Sequence, residues 1–188
     1  YAIGQNTLTA GGNYDLSFVS ANLTITVRPL TVAADAKSKN YGDSDPALTY
    51  QITSGSLVGS DSLSGSLSRA SGENVGSYAI GQNTLTAGGN YDLSFVPANL
   101  TITKRELMAQ ADDKNRGYGQ ANPELTISYT GFVTGEDPTV LDVPPSAATL
   151  ADTGSPVGTY EITVSGGSDN NYSLGLSNGT LTVTLAAE

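Results

Sequence analysis

Short segments in which hydrophobic and polar residues alternate recur along the chain, and this pattern predicts β-strands. Residues 30–34 and 47–52 alternate with a period of two and are rich in strand-forming residues. The same features predict strands at residues 77–85, 91–96 and 99–103. Gly, Ser, Asn and Asp fill the intervening turns. The pattern therefore predicts a mainly β protein with about five or six short strands in each unit.

Two segments of the chain are almost identical. Residues 1–26 return as residues 78–103, and the one difference is Ser20 against Pro97. Self-similarity at a fixed period is typical of tandem repeats. Because the chain begins in the middle of such a repeat, we expect it to be part of a longer protein.

The similarity continues beyond the first copy and defines the predicted domains. Residues 27–50 align without gaps on residues 104–127. The predicted units are the C-terminal part of a truncated repeat at residues 1–27, a complete β domain at 28–104 and a diverged complete β domain at 105–188.

One face of the predicted strand at residues 47–52 is expected to be buried. Its residues and their counterparts in the next unit are Leu48, Tyr50, Ile52 and Leu125, Ile127, Tyr129. Tyr and Ile exchange places between the units, so the total side-chain volume stays nearly constant. A constant volume is expected where side chains pack in a core.

Three further signals predict local structure. Asn178-Gly179 favours a type I′ turn, which predicts a hairpin between the last two strands. Pro97 occupies the corresponding join in the preceding unit, where a type I turn is expected because proline fixes φ near −65°. Asp137 followed by Pro138 predicts a short helical turn.

The connections between units are predicted to be short and stiff. Three residues, Lys104-Arg105-Glu106, join one predicted strand to the next, and Val27-Arg28-Pro29 is equally short. Such junctions leave little freedom to bend. Tandem small domains arranged end to end as an elongated rod are therefore expected, with Tyr41 and Tyr118 packing over the domain ends. An immunoglobulin-like sandwich and a β-grasp-like sheet with neighbouring first and last strands both remain open.

Composition narrows the possible partners and chemistry. Lys and Arg number 8 against 18 Asp and Glu, so the net charge of −10 argues against nucleic acid and anionic membranes as partners. The chain lacks cysteine and histidine, which excludes disulfides and thiolate metal sites. It contains no apolar run of membrane-spanning length. With no nucleophile motif and no recurring carboxylate pair, we expect no catalytic, cofactor-binding or metal-ligating residues and no enzyme activity.

Calcium is the one cofactor that the residue pattern leaves open. Asp43 and Asp45 resemble the start of a calcium loop, because hard cations bind several carboxylate oxygens. No Glu follows at EF-hand spacing, and Gln120 and Asn122 replace the two aspartates in the next unit. Turn chemistry explains both versions and is the preferred interpretation. An inter-domain calcium site would draw on Asp35, Asp112 or Glu106.

Threonine and asparagine patterns have simple structural interpretations. Threonines alternate with Leu, Ile or Val in residues 22–26, 99–103 and 180–184, and such ladders can bind flat surfaces. One ladder per domain makes no wide array, so an outward face of β-branched residues is preferred. Glycosylation sequons begin at Asn22, Asn99, Asn171 and Asn178. Neither Lys37 nor Lys114 lies in the apolar run that an isopeptide crosslink needs.

The repeated motifs resemble a known family. They are R-x-L-T-V-x-A-D-x-K-x-x-x-Y-G-D-x-D-P-x-L-T-Y, L-V-G-x-D, V-G-x-Y-x-I and N-Y-x-L-x-F-x-x-A-x-L-T-I, within residues 28–50, 57–61, 75–80 and 90–102. This combination resembles the MBG repeat of the YGX type. The resemblance implies tandem domains of large secreted or outer-membrane-associated bacterial adhesins, and it supplies no catalytic residues. The last unit departs from the pattern at Gln120-Ala121-Asn122 and has an insertion around Pro144-Pro145.

These observations predict a stalk or spacer in a bacterial cell-surface or biofilm adhesin that is secreted or displayed outside the cell. The neighbouring repeats are its expected partners. One alternative is a module whose repeated loops bind glycan or protein of a host or matrix with avidity. Another is a filament subunit that exchanges strands through residues 1–26, whose Leu16, Phe18, Leu23 and Ile25 have no domain core. This segment is expected to be disordered, to dock on the next domain or to pair with another chain.

Overall fold

The computed structural model describes residues 1–186 as β-strands joined by turns, with a single 3₁₀ turn at Pro138–Val140. The N-terminal segment contains two very short strands, β1 (Ala2–Ile3) and β2 (Ala21–Asn22), which pair only with each other. The strands that follow group into two similar units, which use residues 28–103 and 105–184.

The first unit contains seven strands in two sheets. They are β3 (Arg28–Ala34), β4 (Lys37–Asn40), β5 (Tyr50–Ser54), β6 (Ser68–Arg69), β7 (Gly76–Gly81), β8 (Tyr91–Val96) and β9 (Ala98–Thr103). One sheet has the order β5-β3-β8 and the other has the order β4-β9-β7-β6.

The second unit repeats this arrangement. Its strands are β10 (Arg105–Ala111), β11 (Lys114–Gly117), β12 (Ile127–Thr130), β13 (Val143–Thr149), β14 (Gly158–Ser168), β15 (Tyr172–Ser177) and β16 (Gly179–Thr184). The sheet orders are β12-β10-β15 and β11-β16-β14-β13. Equivalent strands therefore occupy equivalent places in the two units.

Parallel pairing links the beginning of each unit to its end. The first strand pairs in parallel with the penultimate strand, as β3 with β8 and β10 with β15. The second strand pairs in parallel with the last one, as β4 with β9 and β11 with β16. Two sheets per unit agree with the sandwich alternative. The β-grasp alternative required the first and last strands to be neighbours, whereas these strands lie in different sheets.

The core of each unit lies where the alternating strands turn their apolar faces inward. In the first unit it consists of Leu30, Val32, Ile80, Leu85, Tyr91, Leu100 and Ile102. The second unit contains a cluster of Ala111, Ala151, Ile162, Val164 and Leu181. A further cluster comprises Leu107, Leu141 and Tyr172, with partly buried aromatic and aliphatic side chains packed against it. One of the side chains packed against that last cluster, Tyr41, belongs to the first unit.

The prediction of a mainly β protein is confirmed, but several details differ. The Asp-Pro signal gives the 3₁₀ turn, in which Asp137 accepts a hydrogen bond from the Thr139 N–H at 2.9 Å. Each unit has seven strands rather than five or six. Two of the missed strands, β4 and β11, are short and polar and pair only with the last strand of their unit. The missed strand β13 contains Pro144 and Pro145 and lies at a sheet edge, where proline costs no ladder hydrogen bond.

The face predicted to be buried is only half-buried. Leu125, Ile127 and Tyr129 pack against the two clusters of the second unit while remaining partly accessible. In the first unit the edge strand β5 leaves Ile52 exposed. The register of β5 against β3 also shifts between Thr31 and Val32, so the strand carries one extra residue. The Tyr–Ile exchange therefore reflects a partly packed sheet edge.

The predicted hairpin at Asn178-Gly179 is wrong. The strands on either side, β15 and β16, belong to different sheets, and Asn178 does not have the positive φ that a type I′ turn needs. The Asn178 carboxamide oxygen instead accepts the N–H of Val164 at 2.9 Å. A Cβ on Gly179 would lie 2.5 Å from the carbonyl oxygen of Ala111, so this glycine permits a close approach of two strands. Pro97 likewise connects strands of different sheets, so no type I hairpin forms there.

The N-terminal segment does not dock on the following domain. Leu16, Phe18, Leu23 and Ile25 remain exposed, and the only ladder is the short pairing of β1 with β2. The nearly identical residues 78–103 contribute to β7, β8 and β9, of which β8 pairs with β3 and β9 pairs with β4. Residues 1–26 pair with no strand of residues 28–186, and their apolar side chains are exposed.

Candidate functional site: the junction between the repeats

The covalent link between the two units is shorter than predicted. Strand β9 ends at Thr103 and β10 begins at Arg105, so one residue, Lys104, separates them instead of three. The Lys104 ammonium group donates to the carbonyl oxygen of Asp169 in the second unit at 2.7 Å. A link of one residue whose side chain is itself bonded allows little relative rotation of the units.

Tyr41 carries the apolar part of the contact between units. It directly follows β4, on the side of the first unit that contacts the second unit. Its ring meets that of Tyr172 edge to face, with centroids 5.4 Å apart. Tyr172 in turn stands edge to face with Phe132 at 5.3 Å. Edge-to-face aromatic pairs contribute about 0.5–1.5 kcal/mol beyond the area that they bury. The prediction that Tyr41 packs over a domain end is thus sharpened, because Tyr41 packs against the core cluster of the next domain.

A single carboxylate joins the tyrosines of the two units. The Tyr41 hydroxyl donates to Oε1 of Glu136 at 2.7 Å, and the Tyr172 hydroxyl donates to Oε2 of the same residue. The Tyr172 oxygen also accepts the N–H of Val133 at 2.9 Å. Hydrogen bonds that involve a charged group are stronger than neutral ones. Glu136 therefore links one domain to the other through its two carboxylate oxygens.

Both tyrosines remain protonated donors over a wide pH range. The hydrogen bond to Glu136, together with burial, raises the pKa of Tyr41 to about 12. Burial, followed by the hydrogen bond to Glu136, raises the pKa of Tyr172 to about 12. Deprotonating either tyrosine would place a second negative charge beside the carboxylate.

Gly42 lets the two units approach each other. Its φ is +78°, in the left-handed region that favours glycine. A Cβ at this position would also overlap with Cγ2 of Val133 in the second unit. The Tyr-Gly pair thus combines an aromatic anchor with a backbone position that leaves room for the neighbouring domain.

Polar contacts surround the tyrosine pair. Nη1 of Arg105 donates to Oδ1 of Asp43 at 2.9 Å, and its Nε donates to the carbonyl oxygen of Gly131 at 2.9 Å. Oδ1 of Asn171 accepts the N–H of Val75 at 2.9 Å. The Arg105–Asp43 ion pair is partly exposed and contributes little, about 0–1 kcal/mol. These contacts mainly fix the orientation of the units.

The first unit has the same arrangement at its own beginning. The Tyr91 hydroxyl donates to Oδ2 of Asp61 at 2.7 Å and accepts the N–H of Val58 at 2.8 Å. Asp61 corresponds to Glu136 and Tyr91 to Tyr172. Each unit thus carries a tyrosine–carboxylate pair, here called the acceptor pair, and a separate Tyr-Gly turn. Asp61 and Val58 are exposed, whereas Glu136 and Val133 are half-buried beneath Tyr41.

The aspartates that suggested calcium are paired with basic groups. Asp43 contacts Arg105, and Asp45 contacts Lys39 at 2.7 Å and Arg69 at 2.6 Å. Arg69, followed by Lys39, lowers the pKa of Asp45 to about 2. Cationic partners already at these oxygens oppose a bound metal cation. Within residues 1–186 no group of three or more acidic side chains has the arrangement of a metal site.

Of the remaining candidates, Asp35 and Asp112 stabilise the local structure. Asp35 accepts the Thr49 hydroxyl at 2.5 Å, and Asp112 accepts the Ser128 hydroxyl at 2.6 Å. Glu106 is exposed. The other candidates are placed as follows: Lys37 and Lys114 on β4 and β11, Asn99 exposed on β9, Asn22 exposed on β2, Asn178 between β15 and β16.

The threonine ladders do not form a separate surface. Thr101 and Thr103 project outward from β9, and the Thr103 hydroxyl donates to Oδ1 of Asn40 on the paired strand β4 at 2.9 Å. This agrees with the interpretation of the ladder as an outward strand face. Asn171, considered only as a sequon, lies in the junction instead.

The ion pairs that Lys39 and Arg69 form with two carboxylates give a prediction about the pH dependence of stability. Lys39, which is 9% exposed, and Arg69 hold Asp45 and Glu73 in their charged forms and lower the pKa of both carboxyls. A lowered carboxyl pKa contributes stability above about pH 4, which is lost as the pH falls toward 2. Because Asp45 is 40% exposed, we expect its effect to stay below about 1 kcal/mol.

Urea unfolding followed by circular dichroism at pH 7 and pH 2.5 measures this effect. Asp45→Asn should unfold more easily than the wild type at pH 7, and the difference should shrink at pH 2.5. The substitution has a precedent in the second unit, where Asn122 stands at this position and its carboxamide oxygen accepts a hydrogen bond from Nε of Arg116 at 2.7 Å. A difference that is the same at both pH values would contradict the prediction.

The two units match one protein family. The family model of the MBG domain, YGX type, matches residues 30–101 and 107–182. The chain belongs to the MBG domain family of the YGX type. Each match spans one two-sheet unit, so the resemblance inferred from the motifs is confirmed and the chain contains two tandem MBG domains. A search of curated proteins gave no match.

Sequence reasoning found some residues of the MBG junction and missed others. The Tyr-Gly motif was assigned to a domain end, but its partner Glu136 received no role. The available signal was the acidic residue that follows the L-V-G or F-V-T segment in both MBG domains, Asp61 and Glu136.

Among residues 1–186, no helix is long and apolar enough to cross a membrane.

Proposed function

We propose that the chain is a spacer segment of a large bacterial surface adhesin, in which successive MBG domains stand end to end and hold a binding domain away from the cell. The observation that carries this proposal is the junction. It combines a one-residue connection with a tyrosine of one domain that packs against the core cluster of the next. A spacer needs junctions that resist bending, whereas a flexible tether does not.

The chemistry of the junction supports a structural role. Tyr41 and Tyr172 donate to Glu136 and have raised pKa values, so they are not activated as bases or nucleophiles. The tyrosines, the carboxylate and the glycine all contact the neighbouring domain or support the residues that do. We therefore propose mechanical coupling as the role of the junction. The match to the MBG domain family supports the further proposal of a non-enzymatic function outside the cell.

Pulsed electron paramagnetic resonance on the full chain tests whether the junction is rigid. The chain has no cysteine, so Thr101→Cys in β9 and Thr163→Cys in β14 place one spin label on the exposed surface of each domain. We expect a single narrow distance distribution. A control with about five Gly and Ser residues inserted after Lys104 should broaden it, because such linkers behave as flexible coils. A wild-type distribution as broad as that of the control would contradict the spacer proposal.

A further inference from the structure

The second domain carries a surface equivalent to the one through which the first domain contacts it. Tyr118 and Gly119 occupy the places of Tyr41 and Gly42, and Val157 occupies the place of Val75. Here, however, Tyr118 is 50% exposed and Val157 is 51% exposed, whereas Tyr41 and Val75 are half-buried in the junction. A groove of about 610 Å³ is lined by Tyr118, Pro156, Val157, Leu185 and Ala186, and we call this surface the Tyr118 face.

We propose that the Tyr118 face is a docking surface for the beginning of a further MBG domain, one that presents an acceptor pair like Tyr172 and Glu136. This inference rests on the proposed spacer function and deepens it, because it names the partner and the contact through which the series of domains continues.

The backbone of the Tyr118 face has the same geometry as the occupied junction. Gly119 has a φ of +82° and Gly42 has a φ of +78°, so both turns adopt the left-handed conformation. A Cβ on Gly42 would overlap with Val133 of the next domain, while a Cβ on Gly119 would meet no atom within 4 Å. The open space at Gly119 is thus the place that Val133 fills at the junction.

The hydrogen-bonding groups also correspond. The hydroxyl of Tyr118 can donate to a carboxylate as Tyr41 does to Glu136, and the N–H of Val157 stands where the N–H of Val75 meets Asn171. The first domain shows that an acceptor pair forms without a docked tyrosine, because its Tyr91–Asp61 pair is already assembled at an exposed surface. A docking domain therefore needs no rearrangement of its own acceptor pair.

Two substitutions predict how this contact differs from the existing junction. Gln120 replaces Asp43, so Arg105 of a following domain would lack its ion-pair partner. Leu185 replaces Lys104 and is exposed, so an apolar contact would take the place of the lysine hydrogen bond. We therefore expect docking at the Tyr118 face to depend little on salt concentration.

An extended chain tests the inference by the accessibility of Tyr118. It consists of residues 1–185 followed by a second copy of residues 105–188, so that Leu185 takes the position of Lys104. The measured residue is Tyr118 of the original second domain, not its copy in the added domain. Its nitration by tetranitromethane, measured by mass spectrometry, should be at least about tenfold slower in the extended chain than in the original one. Tyr1 and Tyr14, which are exposed, should react at the same rate in both chains and serve as internal controls.

A variant of the extended chain shows whether the predicted contact causes the protection. Replacing by alanine the glutamate that copies Glu136 in the added domain should restore rapid nitration of Tyr118. Equal nitration of Tyr118 in the original and extended chains would overturn the inference. Protection that appears in the original chain and grows with its concentration would also overturn it, by assigning the face to a second copy of the chain.

The two proposals fail in different ways. The spin-label distance between Thr101→Cys and Thr163→Cys concerns only the existing junction, so a narrow distribution with an unprotected Tyr118 would retain the spacer function and remove the docking surface. A broad distribution would remove the spacer function itself.

Discussion

Replacing Tyr172 by alanine is expected to lower the free energy of unfolding of the second MBG domain by about 3–5 kcal/mol, as for other large aromatic residues truncated in a core. The side chain is 2% exposed and meets both Tyr41 and Phe132 edge to face. Its loss would leave a cavity and remove the hydroxyl that Glu136 and the N–H of Val133 bind. Small domains have only about 5–15 kcal/mol of stability, so this is a large share.

Urea unfolding of the full chain measures the effect of Tyr172→Ala. Tyr172→Phe is the matched control, because it keeps the ring and removes only the hydroxyl. We expect a smaller loss of about 1–3 kcal/mol from the unpaired Glu136 and Val133 groups. Tyr91→Ala should destabilise the first domain instead of the second. An equal effect of Tyr172→Ala and Tyr172→Phe would show that cavity formation does not dominate.

The two nearly identical segments show which structure the local sequence determines. Asn6 and Asn83 both have a φ of 48°, and Gln5 and Gln82 both donate to a backbone oxygen three residues later, at 2.9 and 2.8 Å. Turn geometry therefore follows from the residues themselves. Burial does not follow, since Ile80 is fully buried while its counterpart Ile3 is exposed. Strand packing depends on pairing with strands that are distant in the sequence, as β8 pairs with β3 and β9 with β4.

The fold class could be predicted from alternation, but the topology could not. Strand β8 was predicted with its observed bounds, because Tyr91–Val96 alternates clearly. The hairpin at Asn178 failed because a turn signal gives no information about which sheet each strand joins. Strand β4 was missed because the buried ammonium group of Lys39 is held by Asp45 and Glu73, which come later in the sequence. Long-range pairings of this kind are invisible in a local pattern.

The junction could be located from the sequence, although its contacts could not be derived. The short connection and the recurring Tyr-Gly pair indicated where the domains meet. The contact of Tyr41 with Glu136 joins residues of different domains. A comparison of the two repeats shows only that both residue types recur. It does not show that the end of one domain meets the beginning of the next through them.

Replacing Tyr41 by alanine is expected to uncouple the two MBG domains. The change removes a hydrogen bond to a charged group, worth about 1.5–3 kcal/mol, and the edge-to-face contact with Tyr172. We expect the free energy of unfolding of the second domain to fall by about 2 kcal/mol, so that this domain unfolds at a lower urea concentration. The spin-label distance distribution should also broaden. Tyr118→Ala is the matched control in the original chain. Its side chain is half exposed, so its effect should stay below about 0.5 kcal/mol.

The pH dependence of this difference identifies the hydroxyl as its source. The pKa of Tyr41 is raised to about 12, above its usual value near 10. A raised pKa of an acidic hydroxyl contributes stability that is fully present below about pH 10 and is lost as the pH approaches 12. The stability difference between wild type and Tyr41→Ala should therefore hold from pH 6 to about pH 10 and decrease above it. If the difference is unchanged at pH 11.5, packing alone couples the domains, and the role assigned to the Tyr41–Glu136 hydrogen bond is wrong.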